Sequence, residues 1–318
     1  MTGVAGFIGS HLAEELVKRG HKVIGIDCFT DYYPRAIKEV NIHNLVKSQN
    51  FNFLERDILD LDLIKLLKGA DAIFHEAAQP GVRKSWGVNF STYVKRNILS
   101  TQALLEASKK SSLKYFVYAS SSSIYGDSEM YPTKEDTIPK PISPYGVTKL
   151  ACEHLCNAYL NSFGLPVVIL RYFTVYGPRQ RPDMAFNKFI RSVLMNTNIT
   201  VYGDGLQTRD FTFVSDIIEA NMLILKNEIH DGIFNIGGGT KTTINDVIQI
   251  LETLTGKDVN MEHTSSEKGD VKHTCADITR AKRILGFRPK IGIKEGLSRE
   301  IEWLQTHLDL FSSKTKPS

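Results

Sequence analysis

A doubly wound α/β fold with a parallel sheet, followed by a smaller second domain, is the architecture this sequence predicts. Three features predict it. Short apolar runs alternate with helical patterns through the first half of the chain. The runs are continuously apolar instead of alternating, the mark of strands buried on both faces. A glycine-spaced turn also opens a helix at the start of the chain.

The expected strands are Lys22–Asp27, Phe51–Leu54, Ala72–His75, Tyr115–Ser120 and Val167–Arg171. Helical patterns fall near Gly9–Arg19, Leu61–Leu67, Tyr93–Ser108 and Pro144–Phe163. That βαβα order calls for a parallel sheet with helices on both faces. After Arg171 the character changes. Tyr172–Gly205 is rich in Arg, Pro, Asn and Gly, with one helix near Ala185–Met195. Asp210–Leu225 and Gly232–Ile236 return to strand and helix patterns, and three helical stretches follow to about Leu310, the last holding Trp303. Residues 1–171, with about 210–236, are expected to form the dinucleotide-binding domain. Residues 172–209 and 237–310 are expected to form the second domain, and 311–318 a tail.

One element is out of place. Only Met1 and Thr2 precede the glycine turn, which normally follows a strand of about five residues. The central strand is therefore expected to be absent or nearly so, and a natural start upstream of Met1 is expected.

The 318 residues are 42% hydrophobic and 23% charged, with a net charge of +4, an ordinary balance that points to neither nucleic acid nor a membrane surface. No run approaches the ~18 apolar residues of a membrane span, and no signal-peptide pattern opens the chain, so a cytoplasmic protein is expected. The cysteines, Cys28, Cys152, Cys156 and Cys275, form no CxxC pair and read as plain thiols; no metal site is expected.

The chemistry begins at Gly3-Val-Ala-Gly6-Phe-Ile-Gly9. Glycines at this spacing let the backbone approach a pyrophosphate and start a helix whose amides face the anion. Ile8, Leu12 and Leu16 repeat every four residues and give that helix a sheet-facing stripe. Asp27 ends the next strand, 18 residues beyond Gly9. A carboxylate there accepts hydrogen bonds from adenosine ribose hydroxyls and repels a 2′-phosphate, which favours NAD over NADP. Asp57 suits either an adenine contact or a capped loop. His75 reads as a core histidine, and Ala77 and Ala78 are small enough to admit a cofactor.

Tyr145-Gly-Val-Thr-Lys149 follows Ser143-Pro144, a helix start, so its Tyr and Lys project from one face. An ammonium beside a phenol favours phenolate, which can take a proton from a hydroxyl as hydride leaves the same carbon. Ser120-Ser121-Ser122-Ser123-Ile-Tyr125-Gly126 ends a buried strand at the carboxyl edge, where a parallel sheet opens its ligand crevice.

Together the glycine turn, Asp27, SSSSIYG, YGVTK, RYFTVYGP and QTRDF resemble the extended short-chain dehydrogenase/reductase family in its nucleotide-sugar epimerase/dehydratase branch, from Gly3 to about Leu310. The resemblance implies a Rossmann domain and a C-terminal nucleotide-sugar domain. It also implies tightly held NAD and a homodimer through the helices near Tyr93–Ser108 and Pro144–Phe163. It assigns catalysis to Tyr145, Lys149 and Ser121. The cofactor would meet Gly3, Gly6, Phe7, Ile8, Gly9, Asp27, Asp57, Ile58, Ala77, Ala78, Tyr145 and Lys149. Asn97 matches a structural asparagine.

Dehydratases of the branch carry Asp and Glu where this chain has Ser122 and Ser123, and decarboxylases carry Glu at the Ser123 position. Without those acids, oxidation and re-reduction, hence epimerisation, is the expected outcome. RYFTVYGPRQRPDMAF is most similar to the UDP-glucuronate 4-epimerases. Thr174 replaces an asparagine common in UDP-glucose epimerases, and Arg181 is placed for a sugar carboxylate, although a phosphate or surface role also suits an arginine. Substrate contacts are expected from Ser122, Ser123, Thr174, Arg181, Arg209 and Asp270. The second diphosphate arginine is replaced by Glu267, with Lys268 as a partial substitute. A UDP-glucose 4-epimerase is the near alternative, and a non-catalytic NAD-binding regulator the distant one.

Overall fold

The computed structural model describes residues 1–128, 130–265 and 269–311. The replacement at Glu267 and Lys268 and all but Phe311 of the tail lie outside these residues. Five strands match the expected positions: β1 (Val23–Asp27), β2 (Phe51–Glu55), β3 (Ala72–His75), β4 (Tyr115–Ser121) and β5 (Val167–Tyr172). β3, β4, β5 and Gly232–Ile236 form one parallel sheet, with Gly232–Ile236 at its far side. β1 and β2 form a parallel pair beside it. All six residues of β5 are buried: the apolar run Val167–Leu170 continues into Arg171 and Tyr172, whose polar groups find buried partners.

Between the two parts runs the beginning of the chain. Thr2 bridges in parallel to Ile26 on one side and His75 on the other. Its N–H donates to the Phe74 carbonyl at 3.0 Å, and Gly3 N–H donates to Ile26 at 2.8 Å. The central strand is thus reduced to a single bridging residue, which still sets the glycine turn at the carboxyl ends of its neighbours.

Helix Phe7–Lys18 buries Leu12, Ala13 and Leu16 against this sheet. The second expected helix is shorter than its pattern: Asp62 caps Leu63–Leu66 by accepting from Lys65 N–H, after a 3₁₀ turn at Ile58–Asp60. The third is continuous but not uniform. Between Phe90–Tyr93 and Ser100–Ser108 it widens into a π-turn, Val94–Leu99. That bulge holds Asn97, whose side chain accepts from Gln79 N–H at 2.7 Å and donates to Thr148 Oγ1 at 3.0 Å. The loop after β3 is thereby tied to helix Pro144–Phe163.

The remaining elements are smaller. Strands Thr174–Tyr176 and Phe211–Phe213 pair in parallel, as do Ile199–Tyr202 and Met261–Thr264. Helices Ala185–Leu194, Ile244–Thr255 and Ile293–Thr306 pack against one another, and Tyr176, Phe186, Phe211 and Phe213 form an aromatic cluster. We propose the domain division given above, on the grounds that Gly232–Ile236 joins the large sheet whereas Thr174–Tyr176, Ile199–Tyr202 and Met261–Thr264 do not. Among the described residues no helix is long and apolar enough to cross a membrane, and no group of three His, Cys, Asp or Glu side chains could hold a metal ion.

Candidate active site

The carboxyl ends of β1, β3 and β4 open into one cleft. Its floor is the glycine turn. Gly3 has φ +68, and a Cβ there would come within 2.7 Å of Ala77 N; one on Gly9 would collide with the Gly3 carbonyl. Gly6 caps helix Phe7–Lys18 without any side-chain hydrogen bond, and no acid occupies the first turn. The first amides therefore remain available to an anion, a fit for a dinucleotide pyrophosphate. Phe7, Ile8, Ala77 and Ala78 line the same floor.

Asp27 stands at one end. Its Oδ2 accepts from Ala5 N–H at 3.1 Å and its Oδ1 from Phe29 N–H at 2.9 Å, which fixes the carboxylate and leaves lone pairs for ribose hydroxyls. Asp57 does two things. It accepts from Leu59 N–H at 3.2 Å, the capping option that its spacing left open, and pairs with Arg96 at 2.5 Å, while it and Ile58 still line the cleft.

Tyr145 and Lys149 line the other end. Ser143 caps their helix by accepting from Gly146 N–H at 3.1 Å, with Pro144 at the first position. Lys149 is buried, and its ammonium donates to the Ala119 carbonyl at 2.7 Å. The Tyr145 ring meets the Tyr93 ring edge-on, centroids 6.3 Å apart.

The four serines separate into different roles. Ser120 is buried and donates to Glu153, whose carboxylate also pairs with Arg171 at 2.7 Å. Arg171 reaches the Tyr125 hydroxyl at 2.7 Å, and that hydroxyl donates to Asn235 at 2.7 Å. This network pins the ends of β4, β5 and Gly232–Ile236. Ser121 is half-buried, accepts from Ser123 N–H and donates to Ser123 Oγ, both at 3.1 Å. Ser122 and Ser123 begin a 3₁₀ turn at the strand end. No acid stands at either position.

The expected sugar-side residues fall into two places. Arg181 reaches into the cleft of Tyr145, where it holds Asp183 in a bidentate pair, while Thr174 is half-buried at the start of its strand. Arg209 and Asp270 lie elsewhere. Arg209 donates to the carbonyls of Thr208 and Lys272, and burial lowers its pKa. Asp270 pairs with Arg83 at 2.6 Å, and the Arg83 guanidinium lies 4.0 Å from the Tyr202 ring centroid.

Sequence spacing alone misses several cleft residues. Lys38 donates to the Thr30 carbonyl at 2.5 Å near Asp27, and burial lowers its pKa. Arg56 and Arg96 add charge at that end, whereas Tyr32, Glu76 and Tyr172 line the cleft as well. An acid directly after an apolar strand, at Glu76, is the one signal that could have been read.

A family model described as the NAD dependent epimerase/dehydratase family matches residues 1–237. The chain is 45% identical over 308 residues to the uncharacterized UDP-glucose epimerase YtcB of Bacillus subtilis, covering 96% of this chain and 97% of the relative. It is 41% identical over 318 residues to the UDP-glucuronate 4-epimerase of Thermodesulfobacterium geofontis, covering 98% of each. A crystal structure of the Bacillus cereus UDP-glucuronic acid 4-epimerase in complex with UDP-glucuronic acid and NAD superposes with TM-score 0.93 at 45% identity, covering 96% of this chain and 98% of that one.

Proposed function

This chain belongs to the NAD-dependent epimerase/dehydratase family, and we propose that it inverts C4 of a UDP-hexuronic acid, interconverting UDP-glucuronate and UDP-galacturonate. The observation that carries this reading is the entry of Arg181 into the cleft lined by Tyr145 and Lys149. A cation for a sugar carboxylate and a base for a sugar hydroxyl then serve one ligand. The relatives named for glucuronate support the same substrate.

NAD held along the cleft would supply the hydride acceptor for C4 and the donor for its return to the opposite face. Tyr145 takes the proton of the C4 hydroxyl, and Ser121, the last residue of β4, is the group we assign to hold that oxygen. Lys149, fixed by the Ala119 carbonyl, favours the tyrosinate. For re-reduction on the other face the keto sugar turns about its diphosphate, the group we assign to Arg209. Asp270 and the serine pair Ser122 and Ser123 complete the assigned sugar-nucleotide contacts. The 4-keto hexuronate is a β-keto acid, prone to lose carbon dioxide. With no acid at Ser122 or Ser123, and with Thr174 and Arg181 restricting the carboxylate, that loss is disfavoured.

A second reading has an observation of its own. Arg181 is already charge-matched by Asp183, which leaves the cleft tolerant of a neutral sugar and keeps a UDP-glucose 4-epimerase in view. Incubation with UDP-glucuronate and UDP-glucose separately, followed by proton NMR of the sugar ring, decides between them. UDP-galacturonate from the first is the expected product. Turnover of UDP-glucose alone overturns the substrate, and carbon dioxide as the main product overturns the reaction.

A homodimer belongs to the same proposal. Leu99, on the helix that holds Asn97, and Val147 and Phe163, on the Tyr145 helix, stand exposed, and a second copy of this chain would cover them. A cytoplasmic setting, where NAD and a UDP-sugar are both dissolved, completes the reading.

A further inference from the structure

Glu76 follows the last residue of β3, at the end of the cleft that holds Tyr145 and Lys149. Its Oε1 accepts from the Tyr172 hydroxyl at 2.9 Å, and that hydroxyl accepts from Asn221 Nδ2 at 2.8 Å. Tyr172 is the β5 residue paired in register with Ser121. The carboxyl is therefore tied to the strand position beside the assigned catalytic serine. Among the described residues Tyr172 is its hydrogen-bond partner and no Arg, Lys or His pairs with it.

We propose that Glu76 is a positioning residue that, through Tyr172 and its place across from Lys149, sets how readily the nicotinamide bound in this cleft is reduced. Asp27 marks the adenosine end of the cleft and Tyr145 the reacting end; Glu76 is bonded to Tyr172, which pairs with Ser121, and feels the Lys149 charge, so it belongs to the nicotinamide end. Oxidised nicotinamide carries a positive charge that reduction removes. A carboxylate nearby stabilises the oxidised form, whereas a neutral carboxyl does not.

The local electrostatics allow both states. Burial pushes the Glu76 pKa up to about 7, opposed in part by the Tyr172 hydrogen bond and the Lys149 charge. The charged group acting on it is Lys149 of the helix, its β5 neighbour is Tyr172, and behind Tyr172 helix Val214–Lys226 supplies the uncharged Asn221; Tyr145 lines the same cleft. On its own strand His75 sits between Thr2 and Thr101, and burial lowers its pKa to about 3, so it stays neutral. Ionisation of Glu76 is then a charge change at this end around neutral pH. As pH rises through about 7, oxidised nicotinamide gains stability over reduced. Resting NAD is favoured, and the keto intermediate is populated less.

The test uses the NAD-bound protein, equilibrated with a low-potential mediator couple and read by the near-ultraviolet absorbance of reduced nicotinamide. Glu76→Gln keeps an acceptor for Tyr172 but cannot ionise. The proton consumed on reduction moves both proteins equally, so the difference between them is the readout. Wild type and E76Q should coincide below about pH 6, and above about pH 8 wild type should hold up to about tenfold less reduced nicotinamide, or about 30 mV. Tyr172→Phe, which removes the donor, should move the divergence to higher pH. Parallel curves for wild type and E76Q over the whole range, with Y172F unshifted, overturn the proposal.

Discussion

Arg181 and Asp183 form a bidentate pair in the cleft, Nε to Oδ1 at 3.0 Å and Nη2 to Oδ2 at 3.1 Å, and Tyr32 donates to the same Oδ2 at 3.1 Å. A carboxylate thus already lies where a hexuronate would have to be met. An incoming sugar carboxylate shares the guanidinium with Asp183 or displaces it. Arg181→Ala should raise KM for UDP-glucuronate about 10- to 100-fold, the worth of a charged hydrogen bond, and leave UDP-glucose nearly unchanged. Asp183→Asn should act in the opposite direction and lower KM for UDP-glucuronate. Steady-state kinetics on both sugars checks this; equal effects on the two would mean that Arg181 does not meet a carboxylate.

Tyr145→Phe removes the proton acceptor and little else, since the ring keeps its edge-on contact with Tyr93. A fall in kcat of roughly 10²–10⁴ is expected, the usual worth of general acid–base catalysis. NAD should remain bound, as judged by the cofactor released on denaturation. A variant that retains near-normal kcat would move the proton chemistry to another group.

Much of this arrangement is legible in the sequence, and what is not has a common cause. Strands such as Val167–Tyr172 declare themselves because burial on both faces demands a continuous apolar run, here Val167–Leu170. Tyr145 and Lys149 are found by helical spacing, and Asp27 by its distance from Gly9. The contacts that spacing cannot reveal join residues far apart in the chain. Glu76 meets Tyr172 across 96 positions, and Arg83 meets Asp270 across 187. Helical periodicity also hides the π-turn at Asn97, because the apolar stripe survives one extra residue in a turn. Asp57 shows the other limit: one aspartate at a strand end satisfies both a cap and a cleft position.

The Glu153–Arg171 pair is buried on both sides, joined by contacts of 2.7, 3.0 and 3.2 Å. Removing one partner leaves an uncompensated charge under the serine strand. Glu153→Ala should cost about 3–5 kcal/mol of stability, read as a lower midpoint in urea denaturation. Catalysis in the surviving folded fraction should fall as well, since Ser120 and Tyr125 lose their anchor. A midpoint within error of wild type would show that this network does not hold the strand ends.

Asp210 gives the clearest dependence of stability on pH. It is fully buried, and burial pushes its pKa from 3.8 up to about 6, although Ala276 N–H at 2.8 Å and Gly238 N–H at 2.7 Å both stabilise the carboxylate. Because the folded value is the higher one, the folded protein holds this proton more tightly than the unfolded chain. Its contribution is fully present below about 3.8 and is lost as pH rises through about 6. Two units amount to about 3 kcal/mol. Other carboxylates slope the opposite way, so the comparison is with Asp210→Asn, which cannot titrate. Between about pH 4 and pH 7 the wild-type unfolding free energy should fall relative to D210N by about that amount, measured by urea denaturation at each pH. Parallel curves would mean that Asp210 stays ionised in the fold, its backbone donors outweighing its burial.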